Sequence, residues 1–163
     1  MTKISIVMPV YNAAPTLGDT IESILRQTEP GFELVIVDDA SDDDTAQILA
    51  RYAAGDARVR VLRNAENAGV TRSLIAGCAA ARGQYIARHD AGDLSLPARL
   101  EKQAALLDAS SEVAFVACWT EFVGPELEHL YEHRGTLDPT HHGSVMFRSD
   151  AYEKAGGYRA QFY

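Results

Sequence analysis

Basic residues are scarce in this chain. Lysine and arginine number 15 against 23 aspartates and glutamates, leaving a formal net charge of −8. That deficit argues against a general nucleic-acid binder, because a phosphate backbone attracts basic surfaces. Cysteine is rarer still. Cys78 and Cys118 are the only two, too few for a disulfide-framed scaffold, and both lie in apolar stretches where buried free thiols are expected. No apolar run approaches the roughly 18 residues needed to cross a bilayer. The opening "MTKISIVMPVY" is too short in its apolar part, and lacks the cleavage pattern, for a secretory signal. A cytoplasmic, reduced protein is the expectation.

What is present is enough apolar material for one core. At 163 residues and 47% hydrophobic, the chain suits one compact domain, residues 1–163, rather than two. Its apolar runs alternate with helical patterns. "ISIVMPV" reads as a strand, and Leu17, Ile21, Ile24 and Leu25 then recur at helical spacing from about Pro15 to Gln27. "FELVIVDD" reads as a second strand, after which Ser41 and Asp42 to Asp44 are placed to cap a helix. "VRVLR" is a third strand, followed by a helix from about Thr71 to Ala81. "QYIARHD" is a fourth, Ser95 and Pro97 open another helix, and "EVAFVACW" (Glu112–Trp119) is a fifth.

Such alternation predicts an α/β fold: a mostly parallel sheet with helices on both faces. Ligands of these sheets bind beyond the carboxyl ends of the strands. The first, second and fourth strands end in "PVYN", "VDDASD" and "RHDAGD", so polar groups are expected along one rim. Turn chemistry alone also favours Asn, Asp and Gly, but three such clusters at three strand ends point to a site.

The segments "SIVMPVYNAAPTLGDTIESILRQT", "FELVIVDDASDDDT", "RVLRNAENAGVTRSLIAG" and "GQYIARHDAGDLSLPARLEKQ" resemble, in order and spacing, the nucleotide-binding half of family 2 glycosyltransferases. The likeness runs from about Ile4 to Ala117 and resumes at "HHGSVMFRSDAYEKAGGY". It implies a Rossmann-like GT-A fold, with residues 1–118 as the nucleotide-sugar-binding half and 119–163 as the start of an acceptor-binding part. It also implies that Tyr11 lies against a uracil-type base and Asp39 binds the base edge, with Pro9, Asn12 and Asp38 shaping the pocket. An aromatic face suits stacking, and a carboxylate accepts a pyrimidine ring N–H. Core filling by Tyr11 and helix capping by Asp38–Asp39 are the structural alternatives. Asn67, Gly69 and Arg72 match the family's nucleotide-side loop, although Arg72 reads equally well as a surface arginine.

The family's acidic quartet reads Asp-Ala-Asp-Asp, with the third residue ligating a metal. Here it is Asp90, Ala91, Gly92 and Asp93, so Gly92 stands at the usual ligand position. Asp90 and Asp93, together with diphosphate oxygens, are expected to hold Mg²⁺ or Mn²⁺. Capping of the next helix by Asp93 and Ser95 is the alternative. His142 matches a position where the resemblance implies contact with diphosphate or metal.

The implied reaction is inverting transfer of a sugar from a nucleoside diphosphate donor of the UDP type to an acceptor hydroxyl. The product would be a polysaccharide or glycoconjugate, of cell wall or exopolysaccharide. The acceptor would be a saccharide or lipid-linked, with peripheral membrane association at the inner face. The family's catalytic aspartate follows the "GGY" turn, and after "AGGYRAQFY" none is found before Tyr163. The base is therefore expected beyond Tyr163, and the 163 residues are expected to bind donor rather than turn it over. Glu121, Glu126, Glu128 and Glu132 lie in an irregular stretch and are not convincing substitutes. A non-catalytic sugar-nucleotide-binding or interaction domain is the alternative reading. A phosphoacceptor receiver would need its acid pair on the first strand, and a nucleotidyltransferase would need a glycine-rich basic loop where "VYNAAP" stands.

Overall fold

The computed structural model describes residues 2–124, 128–133 and 142–162. The helical and extended runs follow each other as β1 (Ile4–Val10), α1 (Ala14–Leu25), β2 (Phe32–Asp38), α2 (Thr45–Gly55), β3 (Val59–Arg63), α3 (Val70–Ala80), β4 (Tyr85–Arg88) and α4 (Arg99–Ala109). Next come β5 (Phe115–Val116), the pair β6 (Thr120–Val123) and β7 (His129–His133), then β8 (Met146–Arg148) and α5 (Ser149–Lys154). The main sheet has six strands in the order β3-β2-β1-β4-β8-β5. β3, β2, β1 and β4 run parallel, and β8 is antiparallel to both β4 and β5.

Strands buried on both faces need near-continuous apolar sequence, and β1 and β2 have it. One face packs Ile4, Ile6, Met8, Leu34 and Ile36 against Leu17, Ile21 and Ile24 of α1, Leu49 of α2, and Leu100, Ala104 and Leu107 of α4. Each fully buried aliphatic chain of this kind contributes about 2 kcal/mol. The other face sets Val7 and Ile86 against Leu74 and Cys78 of α3, with Tyr152 of α5 alongside. Helices therefore cover both faces, as the alternation predicts. α3 approaches β1 so closely that a Cβ on Gly77 would collide with Val7 Cγ1.

Three expectations are corrected. The fifth strand is two residues long, not eight, because its partner β8 offers only three residues for pairing. The chain beyond it leaves the sheet, so Cys118 is an exposed thiol and only Cys78 is buried. The stretch holding Glu121 and Glu132 is not irregular: the two are register partners across the antiparallel pair β6–β7. Glu126 and Tyr163 lie outside the described residues. The start of α2 falls to the acids, with Asp44 at the N-cap position, and not to Ser41. Ser41 Oγ accepts from the Asn12 amide instead, and Asp43 Oδ1 accepts from Thr45 N at the helix start.

Candidate functional site

In the parallel register Val10 stands opposite Asp38, so the residues that follow, Tyr11 and Asp39, leave the sheet side by side. The Asp39 amide donates to the Val10 carbonyl at 2.8 Å. Both turns use left-handed backbone at non-glycine positions, Asn12 at φ 49° and Ala40 at φ 61°, which costs energy and needs fixing from outside. The two loops fix each other. The Asn12 amide donates to Ser41 Oγ at 3.0 Å, and the Asp42 amide donates to Asn12 Oδ1 at 3.0 Å. Asn12 thus works as a clamp between loops. Tyr11 is left half-exposed, with its ring presented to the rim rather than filling the core. Pro9 lies inside β1 opposite Val37.

Asp38 and Asp39 are both buried, but they do different things. Asp38 Oδ1 accepts from the Ser41 amide, and its Oδ2 pairs with Arg63 Nη1 at 2.8 Å while Arg63 Nη2 reaches the Ser41 carbonyl. It organises the turn. Asp39 faces the loop before α3. Its Oδ1 accepts from Asn64 Nδ2 at 2.6 Å and Ala68 N at 2.9 Å, and its Oδ2 accepts from Gly69 N at 2.8 Å. Burial alone would raise the Asp39 carboxyl, but the bonds from Ala68, Asn64 and Gly69 outweigh it and hold it below its ordinary value of 3.8. The Ser73 hydroxyl also bonds this carboxylate, so four donors hold it from α3 and the loops around it.

Gly69, at φ 86°, is the N-cap of α3. With Ala68, Val70, Thr71, Arg72 and Ala160 it lines a shallow cleft of about 200 Å³. Arg72 is exposed there, and Asn67 is exposed in the loop that precedes it. Asn64, not Asn67, is the asparagine that reaches Asp39.

β4 continues the rim on the other side of β1, with the His89 amide bonded to the Val7 carbonyl. Neighbouring strands lie about 4.8 Å apart, so the loop after β4 stands about 10 Å from that after β2. Asp90 Oδ1 pairs with Arg88 Nη2 at 2.9 Å. Its Oδ2 and Asp93 Oδ2 converge on Gly143, where a Cβ would stand 3.0 Å and 3.1 Å from them. Gly92, at φ 97°, makes the turn between the two acids. His142 precedes Gly143, and its Nε2 lies 3.4 Å from the Tyr158 hydroxyl. Burial lowers the His142 pKa and the Arg88 charge adds to this, against the opposing pull of Asp90.

Among the described residues there is no group of three or more His, Cys, Asp or Glu that could hold a metal. Asp90 and Asp93 nevertheless offer two hard oxygens over the side-chain-free surface of Gly143. That donor set suits a divalent cation whose remaining ligands are diphosphate oxygens and water. Asp93 does not cap α4, whose N-cap is Ala98.

Beneath this turn lies a set of residues that no spacing in the sequence announces. His89 is buried, with Nδ1 2.9 Å from the Asp90 carbonyl and Nε2 3.0 Å from Ser95 Oγ. Burial pushes its pKa down to about 3, assisted by the Arg99 charge, so the ring is neutral. Arg99 donates Nη1 to Ser95 Oγ and Nη2 to the carbonyls of Arg88 and Gly143.

The family model described as "Glycosyl transferase family 2" matches residues 5–160. The Bacillus subtilis protein EpsE, named as a glycosyltransferase, is 38% identical over 168 residues, covering 97% of this chain and 60% of EpsE. TuaG of the same organism, named for teichuronic acid biosynthesis, is 38% identical over 100 residues, 61% of this chain and 40% of TuaG. Among solved structures, a Pyrobaculum calidifontis mannosyltransferase in complex with GDP-Man and Mn²⁺ superposes with TM-score 0.79 at 23% identity, covering 97% of this chain and 48% of the other. Staphylococcus aureus TarS in complex with UDP-GlcNAc gives 0.76 at 20% identity, covering 96% and 48%. These two share the GT-A fold with this chain, which spans about half of their length and 60% of EpsE. The chain belongs to glycosyl transferase family 2.

Proposed function

We propose that this family 2 chain is the donor-binding part of an inverting glycosyltransferase that moves a sugar from a UDP-type donor to an acceptor hydroxyl. The observation that carries this reading is the hydrogen-bonding state of Asp39. The ionised carboxylate, held in place by Asn64, Ala68, Gly69 and Ser73, suits an N–H donor such as uracil presents at N3. The half-exposed Tyr11 ring supplies a stacking face, and Arg72 stands at the cleft beside Gly69. A nucleoside diphosphate is long enough to bridge the roughly 10 Å from Asp39 to the Asp90 turn.

At that end Asp90 and Asp93 would hold Mg²⁺ or Mn²⁺, which supplies charge stabilisation for the leaving diphosphate. His142, kept neutral, would face the same oxygens. The attacking hydroxyl needs a base within hydrogen-bond reach. We assign that role to an aspartate beyond Tyr163 and expect residues 1–163 to bind donor without turning it over. The division at residues 118/119, between a donor half and an acceptor part, belongs to the same proposal. So does the product class: TuaG is named for teichuronic acid biosynthesis, which supports a cell wall or exopolysaccharide acceptor, saccharide or lipid-linked. Among the described residues no helix is long and apolar enough to cross a membrane, and contact with the inner membrane face would then be peripheral. Gly92 favours one second reading, a sugar-nucleotide-binding domain without transfer activity.

Thermal melts with UDP, GDP, CDP and ADP, with and without Mn²⁺, test the donor assignment. UDP at a hundredfold its Kd is expected to stabilise the fold by about 2.7 kcal/mol, with smaller effects from the other bases. An equal response to GDP or ADP overturns the base assignment, and no response to any of them overturns the donor reading. Sugar transfer by a longer chain carrying the residues after Tyr163 separates an enzyme from a binding domain.

A further inference from the structure

We propose that Ser95 and His89 are positioning residues for the Asp90–Asp93 turn, forming a one-way hydrogen-bond chain that runs from Arg99 to the Asp90 carbonyl. The proposal rests on the donor reading above and adds the means by which the diphosphate end is held.

The direction of the chain follows from what each atom can do. The Asp90 carbonyl lies 2.9 Å from His89 Nδ1 and can only accept, so Nδ1 carries the ring hydrogen. The ring is buried beside the Arg99 guanidinium and stays neutral, so Nε2 is bare and must accept. Its neighbour at 3.0 Å is the Ser95 hydroxyl, which therefore donates to it. That hydroxyl in turn accepts from Arg99 Nη1 at 3.1 Å. A guanidinium has only donors, so every link is fixed by the one before it. The same guanidinium ties Arg88, which pairs with Asp90, and Gly143, the surface on which both acids converge. Arg99 also reaches Gln103 Oε1, so it has a structural duty of its own, whereas Ser95 and His89 connect it to the turn. From the other side, α1 grips the turn through Thr20 Oγ1 to Gly92 N and Ser23 Oγ to Ser95 N, each at 3.0 Å. The turn is thus held at the Asp90 carbonyl and at the Gly92 and Ser95 amides, beside the Arg88 pairing of the Asp90 carboxylate.

The consequence is a separation of effects. Uridine uses Tyr11 and Asp39 and does not touch the turn, while UDP uses both ends. Ser95→Ala removes the donor to Nε2 without opening a large cavity, and the ring is then free to move its hydrogen to Nε2 and release the Asp90 carbonyl. We expect Ser95→Ala to weaken UDP binding about tenfold while leaving uridine binding within about twofold, the size of one hydrogen bond. Ser95→Thr, which keeps the hydroxyl, should restore the UDP affinity. The second readout is the ¹⁵N spectrum of the imidazole: His89 should show the Nδ1–H tautomer in the wild type and lose it in Ser95→Ala. An Nε2–H tautomer in the wild type overturns the proposal even if no nucleotide binds. So does Ser95→Ala weakening uridine as much as UDP, or weakening neither. Wild-type protein that binds neither uridine nor UDP refutes the donor reading instead, and the tautomer still decides the chain.

Discussion

Gly143 stands so near Asp90 that a methyl group on its Cα would lie 3.0 Å from Asp90 Oδ2. The contact is with a carboxylate oxygen, and Asp93 Oδ2 closes on the same point from 3.1 Å. Gly143→Ala should therefore push the two acids apart or fill the place where a cation would sit. The expected outcome is loss of the Mn²⁺-dependent part of the UDP thermal shift, with the metal-free part retained. Calorimetric titration of Mn²⁺ into the UDP-loaded protein checks it, and an unchanged Mn²⁺ affinity would count against the seat.

The base end should respond in a different way. Tyr11 is half-exposed, so Tyr11→Ala should cost the fold little and nucleotide affinity about tenfold, the worth of one base stacked on an aromatic ring. Asp39→Asn keeps the shape but puts an NH₂ among the Asn64, Ala68 and Gly69 donors. It should lower both stability and UDP affinity. Thermal melts with and without uridine distinguish the two variants, and Tyr11→Ala binding uridine normally would remove Tyr11 from the site.

The strands that build this rim were legible because β1, β2 and β4 are apolar, β-prone runs stopped by polar turns. The helices on both faces follow from the 3.6-residue spacing of such groups as Leu17, Ile21 and Ile24. What escaped sequence reading depends on tertiary partners. Nothing in "EVAFVACW" tells that pairing stops at Val116, because the limit is the length of β8. The pair β6–β7 carries exposed residues on a sheet of its own, without the apolar alternation that marks a half-buried strand. Ser41 has the look of a helix cap, but the Asn12 amide, from a distant loop, takes its oxygen. His89 and Arg99 read as bland because their bonds join segments ten residues apart through Ser95. Asn64 carried one signal, its place at the end of a strand next to that of Asp39.

At the opposite end of the sheet Glu33 makes an acid-labile tie. Burial alone would raise its carboxyl, but the Ser5 hydroxyl, Arg60 and the Arg82 amide hold it below 4.5. A carboxyl depressed by folding adds stability above its unfolded pKa and loses it as pH falls through the folded value. Wild-type stability should therefore drop as pH falls below about 4.5. Glu33→Gln should be less stable at pH 7 by about 2 kcal/mol, the worth of a charged hydrogen bond, and show a flatter acid profile. Urea unfolding at pH 7, 5 and 3.5 measures both.

The two thiols should be distinguishable by reagent. Cys118 is exposed, whereas Cys78 is buried and burial pushes its pKa up to about 11. The thiolate is the reactive form. Native protein should react with a thiol-specific chromogenic reagent at one equivalent within minutes, and at the second only on unfolding. Two equivalents in the native state would contradict the packing of α3.

β8 slots between β4 and β5 although it comes after both in the chain. A ribosome therefore delivers Tyr11, Asp39 and the α3 loop well before it delivers Gly143 and Met146. Domains fold as units, so the six-stranded sheet cannot close, and Gly143 cannot reach Asp90 and Asp93, until β8 has left the exit tunnel. Biogenesis thus completes the rim at Gly143 only after the loops of Tyr11 and Asp39 have already been made.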